Sequence, residues 1–235
     1  QQAAHGLGVA PKVLHEEPGL LVSVCLDARS LRPEEVRRPD VLHRLARELR
    51  TLHGGWREVC GMILFFGPLQ TVLTYARTAA ALGASRPKAL SDWLADAQEL
   101  AGHLRPFRPV LCHNDLLAAN LLDEPSSGRI RLVDWEYSGM GHPLFDLANA
   151  ASNADLDADG EVALLEAYAR QFDPKDLCEL RLLRVLSSLR EALWAVIQTV
   201  ASDLDFDYHA YAELHFDAYR ARRSRLDLYA LYHSH

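Results

Sequence analysis

The sequence predicts an α+β fold that is mostly helical, with a few short strands. Apolar residues recur at helical spacing over long stretches, such as residues 30–54 and 174–200. Two apolar runs, residues 110–112 and 130–133, instead have the length and β-branched content of buried strands. Of the 235 residues, 49% are hydrophobic and 24% are charged, so the chain can bury the core of one large or two small domains.

The first 29 residues predict the end of a helix followed by a hairpin. Residues 1–7 are typical of a helix that ends at Gly6 or Gly8, with Pro11 just beyond. Residues 13–15 and 20–26 are typical of two strands joined by a turn.

The rest of the chain predicts mainly helices. Besides residues 30–54, the predicted helices cover residues 65–82, 88–104, 174–200 and 207–229. Asp173 and Pro174 supply an N-cap and a first helical residue for the longest of them. The first of these helices carries arginines expected to form a solvated face, at positions 37, 38, 44, 47 and 50.

Asp115, Asn120 and Asp134 carry the strongest functional signal. Asp115 precedes Asn120 by five residues, and Asp134 closes the strand predicted over residues 130–133. In phosphoryl transfer from a nucleotide, one carboxylate orients the attacking hydroxyl and accepts its proton, while an Asn and a second Asp hold magnesium. The plainer alternative has Asp115 capping a turn and Asp134 solvating a strand end, but it does not explain the ordered set.

The segment around these residues resembles the catalytic and metal loops of the choline/ethanolamine kinases, within the aminoglycoside-phosphotransferase-like kinases. His113-Asn114-Asp115 with Asn120 is similar to the catalytic loop, and Asp134-Trp135-Glu136-Tyr137 is similar to the metal loop. Residues 145–149 and 193–198 also fit the C-terminal half of that family.

The resemblance implies a protein-kinase-like fold. Residues 1–29 would be the end of a small β-rich N-terminal lobe with its hinge, and residues 30–235 a mostly helical C-terminal lobe. A glycine-rich loop, a strand lysine and a helix glutamate should precede such a hinge, and this sequence shows none of them. We expect that the upstream part lies outside this sequence; the alternative is a kinase-like protein with an incomplete nucleotide site.

The implied reaction moves the γ-phosphate of ATP to the hydroxyl of a small cationic amino-alcohol, most simply choline or ethanolamine, with Mg²⁺. Asp115 would orient and deprotonate the hydroxyl, while Asn120 and Asp134 would hold the metal. His113 and Asp146 would support the catalytic loop.

The resemblance also implies where the two substrates bind. The residues implied to border the acceptor are Glu136, Tyr137, Trp194 and Tyr211. Aromatic faces attract a quaternary ammonium group by about 0.5–2 kcal/mol each. The backbone of the hinge would contact the adenine at Val24, Cys25 and Leu26.

Two positions depart from the choline kinase pattern. Asn153 stands where that family tends to place a glutamate facing the substrate cation, and Glu191 stands where it has a second aromatic residue. A carboxylate at position 191 would suit a primary or smaller amine at least as well as trimethylammonium. The acceptor therefore stays open, with an amino sugar or thiamine as alternatives. A catalytically silent kinase-like binding module is the alternative from another functional class.

A second motif competes in the segment from Asp155 to Glu166. The residues that fit a calcium-binding loop are Asp155, Asp157, Asp159, Gly160 and Glu166. The same residues also fit an acidic connection before a helix over residues 161–170, with Asp159 as the N-cap of that helix. We expect the acidic connection, because no second copy of the loop is present.

Charge and cysteine content restrict the partners and the compartment. A formal net charge of -7 argues against nucleic acid and suits a cationic acceptor. No apolar run approaches the ~20 residues of a membrane span, so we expect no membrane insertion. The four cysteines lack paired spacing, which favours reduced thiols in a cytoplasmic protein. A homodimer is an option that the resemblance allows.

Overall fold

The computed structural model describes residues 1–55, 57, 59, 61–169 and 171–226. The chain forms two compact units. Unit 1 contains Gln1–Phe66 and Arg108–Asp173, and unit 2 contains Gly67–Phe107 and the chain from Pro174 onward. The predicted lobe division after residue 29 is not the boundary between these units, and it stays a prediction.

Every segment that the sequence predicts as helical contains at least one helix in the described residues. In chain order the helices are α1 (Gln2–Gly6), α2 (Pro33–Val36), α3 (Pro39–Gly54), α4 (Pro68–Ala81), α5 (Leu90–Ala101), α6 (Pro143–Asn153), α7 (Ala158–Tyr168), α8 (Pro174–Ala201) and α9 (Tyr208–Arg225). The single helix predicted over residues 30–54 is wrong, because Pro39 starts a second helix and the residue before a proline disfavours helical geometry. Tyr229, predicted within the last helix, lies outside the described residues.

The strands are short and belong to three small sheets. In chain order they are β1 (Val13–Glu17), β2 (Leu20–Ser23), β3 (Arg29–Ser30), β4 (Phe65–Phe66), β5 (Val110–Cys112), β6 (Leu121–Glu124), β7 (Arg129–Leu132) and β8 (Gly139–Gly141). The sheets have the orders β1-β2, β3-β6-β7 and β4-β8-β5. The two predicted strands around the site, β5 and β7, therefore belong to different sheets.

A face of α3 supplies much of the core of unit 1. Leu42, Leu45, Leu49 and Leu52 are buried at helical spacing, and α3 packs against α7. Glu48 is buried on the same helix and accepts hydrogen bonds from Arg129 of β7. This contact joins α3 to the sheet that leads into Asp134.

The arginines predicted to form a solvated face are mostly engaged within unit 1. Arg44 donates to Asp123 at 2.6 Å, and Arg37 donates through Nε to the carbonyl of Ala154 at 2.7 Å. Arg50 donates to the carbonyl of Ala167. Arg37, Arg38, Arg47 and Arg50 are nevertheless exposed, which agrees with the predicted solvated face, whereas Arg44 is half-buried.

Unit 2 is built around α8. This helix of 28 residues packs against α4, α5 and α9. Asp96 of α5 accepts hydrogen bonds from Tyr219 and Arg223 of α9, so α5 and α9 are also joined directly. No helix in the described part of the chain is long and apolar enough to cross a membrane.

Candidate active site

The loop after β5 is held by one buried carboxylate. Asp146 of α6 accepts the backbone N–H of His113 at 2.9 Å and that of Asn114 at 2.7 Å. It also lies 3.1 Å from Nε2 of His53. Asn114 has a positive φ of 66°, a conformation that costs energy in most residues and that Asn tolerates. Asp146 therefore holds the backbone of this loop, and its support of a catalytic loop stays a prediction.

His113 connects the loop to the strand that carries Asp134. Its Nε2 donates to the carbonyl of Val133 at 2.8 Å, and its Nδ1 accepts the backbone N–H of Asp115 at 3.3 Å. Burial lowers the pKa of His113, although the charge of Asp146 opposes this effect. A neutral ring with one donor and one acceptor satisfies both contacts. His113 is thus suited to shape the loop rather than to exchange protons.

Asp115 and Asn120 lie next to each other in the segment between β5 and β6. Asn120 ends a 3₁₀ turn, Ala118–Asn120, and its Nδ2 donates to the carbonyl of Asp115 at 2.9 Å. The same nitrogen lies 3.5 Å from Oδ2 of Asp115. Asp115 is 6% exposed and Asn120 is 7% exposed. The sequence spacing of five residues therefore brings the two side chains into direct contact.

Asp134 follows β7 and is placed by its neighbour Val133. The backbone N–H of Val133 donates to the carbonyl of Asn120 at 3.1 Å, while its carbonyl accepts from His113. Asp134 itself is exposed and has a φ of 63°. Both aspartates of the predicted pair are thus tied, through Asn120 and His113, to one hydrogen-bonded frame.

Asp134 and the turn after it line a cavity of about 660 Å³ in unit 1. Glu136 lies on the same wall and is exposed, whereas Trp135 is buried and donates through Nε1 to the carbonyl of Leu132 at 2.9 Å. Further lining residues come from α1, from the β1–β2 hairpin and from residues 62–64. Tyr137 does not line this cavity; its carbonyl accepts a hydrogen bond from Asn114 at 3.0 Å.

The segment predicted to contact adenine follows β2 without regular structure. Val24 donates its backbone N–H to the carbonyl of Lys12 at 2.8 Å, which extends the hairpin by one pair. Cys25 is exposed and Leu26 is half-buried. Val24 therefore has its N–H engaged within the hairpin, and the nucleotide-binding role of the segment stays a prediction.

Trp194 and Tyr211 meet in unit 2. Their ring centroids lie 6.1 Å apart with the planes at 71°. Phe206 and Tyr208 complete the aromatic cluster, at 5.8 Å from Tyr211 and 5.9 Å from Trp194, respectively. The sequence interpretation did not include these two residues, although the aromatic spacing 206, 208 and 211 could have indicated them.

Glu191 is buried and already paired, so its carboxylate is not free to bind the amine of an acceptor. It is 4% exposed, and Arg190 donates to its carboxylate at 2.6 Å. A carboxylate that is buried against a guanidinium is already paired. The suggestion that Glu191 offers its charge to an amine is therefore not supported by the geometry in unit 2.

We predict that His215 makes the free energy of unfolding depend on pH. Its ring lies 4.4 Å from Tyr211 within α9, and it faces Arg190 of α8 and Arg222 of α9. Burial first, and then these two cations, lower the pKa of His215 to about 4. An unfolded chain binds this proton near its ordinary pKa of about 6.5, so stability should decrease as the pH falls from about 6.5 to about 4.

Urea unfolding at several pH values measures this effect. His215→Gln should lose less stability than the parent protein between neutral pH and pH of about 4.5, because it removes the titrating group. An equal loss in both proteins would show that other groups cause the pH dependence.

The acidic segment after α6 is the start of a helix. Asp157 is the N-cap of α7, and its side chain accepts the N–H of Gly160 at 2.9 Å. The prediction that Asp159 is the cap is therefore wrong by two residues. Because α7 spans Ala158–Tyr168, Asp159 and Glu166 lie on a helix, whereas a calcium loop wraps about 12 residues around the ion. This geometry favours the acidic connection.

Known proteins share both sequence and structure with the chain. It is 26% identical to ethanolamine kinase 2 of Rattus norvegicus, over 90% of this chain and 61% of that protein. It is 25% identical to ethanolamine kinase 1 of Mus musculus, over 90% of this chain and 68% of that protein. The chain therefore spans about three fifths of the first relative.

Solved structures confirm the predicted fold class. A choline/ethanolamine kinase family protein from Mesorhizobium loti has a TM-score of 0.81 and 27% identity, covering 94% of this chain and 76% of that chain. Choline kinase LicA from Streptococcus pneumoniae has a TM-score of 0.76 at 19% identity, covering 94% and 78%, and shows the fold alone.

A family model covers most of the chain. The model described as "Phosphotransferase enzyme family" matches residues 1–183, which include His113, Asp115, Asn120 and Asp134. The chain belongs to the phosphotransferase enzyme family.

Proposed function

We propose that this chain transfers the γ-phosphate of ATP to the hydroxyl of a small amino-alcohol, ethanolamine or choline. The observation that carries the proposal is the frame in which Asp115 contacts Asn120 and Val133 joins both to Asp134. Phosphoryl transfer uses a carboxylate base and two metal-binding side chains, and this frame supports the proposal that Asp115, Asn120 and Asp134 supply them. The ethanolamine kinase and choline kinase names of its relatives support the choice of acceptor.

Asp115 would act as the base. In this role its carboxylate orients the acceptor hydroxyl toward the phosphate and accepts the proton as the bond to phosphorus forms. Asn120 donates toward Oδ2 of Asp115 at 3.5 Å, which limits the rotation of the carboxylate. Positioning of this kind supplies a large part of the rate in phosphoryl transfer.

Asn120 and Asp134 suit a magnesium ion. The Nδ2 atom of Asn120 points to Asp115, so the atom that Asn120 can offer a cation is its amide oxygen. Asp134 offers an exposed carboxylate at the wall of the 660 Å³ cavity. Both donors are hard oxygens, which magnesium prefers. When bound, the ion would neutralise charge on the phosphates.

The acceptor's ammonium group needs an anionic or aromatic partner. Glu136 is an exposed carboxylate two residues after Asp134, and we propose it as the anionic partner in place of Glu191, with Tyr137 beside it. Trp194 and Tyr211 offer aromatic faces, and their part in binding is likewise a proposal. A cytoplasmic location and a homodimer stay proposals, the first supported by the co-substrate ATP.

The test is magnesium-dependent ADP release measured in parallel with ethanolamine, with choline and without an acceptor. We expect release that requires both magnesium and one of the amines. An amino sugar and thiamine belong in the same panel. Nucleotide binding without release for any of these acceptors would instead support a silent binding module.

A further inference from the structure

Two asparagines of α6 hold the residue that follows the proposed base. Asn149 and Asn153 lie four residues apart and thus on the same face of the helix. Oδ1 of Asn149 accepts the backbone N–H of Leu116, and Nδ2 of Asn153 donates to the carbonyl of Leu116 at 3.4 Å. Nδ2 of Asn153 also donates to Oδ1 of Asn149 at 3.3 Å. Both backbone polar groups of Leu116 are therefore held from α6.

This arrangement requires a hydrogen-bond donor at position 153. Because the N–H of Leu116 is a donor, the atom of Asn149 that faces it must be oxygen. The side chain at position 153 then meets two acceptors, Oδ1 of Asn149 and the carbonyl of Leu116. An amide nitrogen has two N–H groups and satisfies both, whereas an ionised carboxylate has none and would place oxygen against oxygen.

The contact acts on a loop whose backbone N–H groups at residues 113–116 all have acceptors. The backbone N–H groups of His113 and Asn114 donate to Asp146, and that of Asp115 donates to His113. With Leu116 held by Asn149, every backbone N–H of this run has an acceptor. Asn153 adds the contact to a carbonyl of the same run, one peptide after the proposed base.

We infer that Asn153 is a positioning residue for Asp115, an inference that rests on the proposed function. Fixing both peptide groups of Leu116 restrains the backbone rotation that would swing the Asp115 carboxylate away from the acceptor. Choline kinases tend to place a glutamate at this position, facing the substrate cation. In this chain the side chain of Asn153 contacts the loop and Asn149. Position 153 therefore helps to place the Asp115 carboxylate and does not bind the cationic group of the acceptor.

Asn153→Asp distinguishes a role in positioning Asp115 from a role in binding the ammonium group of the acceptor. The change keeps the size and shape of the side chain but replaces the amide donor by a carboxylate. We expect kcat of acceptor-dependent ADP release to decrease about tenfold or more, since misplacement by about 1 Å can cost 10²-fold. The KM values for ethanolamine and choline should stay within about threefold, because no group that binds them is lost. Gln70→Glu, at an exposed position of α4, adds the same charge and should leave both constants unchanged.

A role toward the acceptor predicts the opposite pattern. A carboxylate facing the ammonium group would lower KM for the amines and leave kcat near that of the parent protein, and this outcome would overturn the inference. Hydrogen exchange gives a readout that does not depend on turnover. The backbone amides of residues 113–117 should exchange faster in Asn153→Asp than in the parent protein.

The two proposals fail in different ways. A parent protein without acceptor-dependent release would refute the proposed function, while faster exchange in the variant would still show that Asn153 holds the loop. Unchanged exchange together with unchanged kcat in the variant would refute the positioning role even where the kinase activity is present.

Discussion

Asp134→Asn should lower magnesium-dependent ADP release by about 10²–10³-fold and leave the protein folded. The exposed carboxylate of Asp134 is the charged oxygen donor of the proposed metal site, and an amide there carries no charge to offset the cation. Losing one charge-stabilising group of this kind costs about 10²–10³-fold in kcat. Asn also tolerates the positive φ of 63° at this position, so the backbone should keep its conformation.

Two further variants make the result specific. Asp134→Ala should lose turnover to the same extent and should also lose about 1–2 kcal/mol of stability, because alanine resists left-handed backbone geometry. Asp205→Asn removes an exposed carboxylate from unit 2 and should keep its activity. Turnover in Asp134→Asn comparable to that of the parent protein would rule out Asp134 as a metal ligand.

The local features of the site could be predicted from sequence because they depend on spacing and on short-range chemistry. β5 and β7 lie within a residue of the runs that predict them, and the turn between β6 and β7 falls on the polar, glycine-containing segment. Helix α8 begins at Pro174, as predicted, because proline is favoured at the first position of a helix. Asp115 and Asn120 meet because the four residues between them lead into the 3₁₀ turn Ala118–Asn120, which brings the chain back toward Asp115.

Features that depend on distant partners could not be predicted in this way. β8 is only three residues long and contains Gly139 and Gly141, so it lacks the β-branched pattern of a strand and forms because β4 and β5 flank it. Arg37 and Arg50 are polar by type, yet they end on carbonyls more than 100 residues away.

The same limit applies to charge near the proposed acceptor residues. Glu191 could be placed on a helix from sequence, but its pairing with Arg190 depends on which rotamers the packing of α8 allows. From sequence, Asn153 could be interpreted only as the loss of the glutamate charge expected there. Its contacts to Leu116 and Asn149 exist only because α6 packs beside the loop after β5.

Asp146→Ala should strongly destabilise the protein. The buried carboxylate accepts from the backbone of His113 and Asn114 and lies 3.1 Å from Nε2 of His53. Alanine would leave these buried groups without their acceptor, at about 1–3 kcal/mol for each. We therefore expect a loss of about 3 kcal/mol or more in the free energy of unfolding, measured as a lower urea midpoint with an unchanged slope.

Asp40→Ala provides the matched comparison. Asp40 pairs with Arg38 at 3.1 Å, but both side chains are more than half exposed, so its loss should cost less than about 1 kcal/mol. Asp146→Asn keeps one oxygen acceptor and should fall between the two variants. If Asp146→Ala unfolds at the same urea concentration as Asp40→Ala, the loop after β5 does not depend on this carboxylate, and its backbone N–H groups must then find other acceptors.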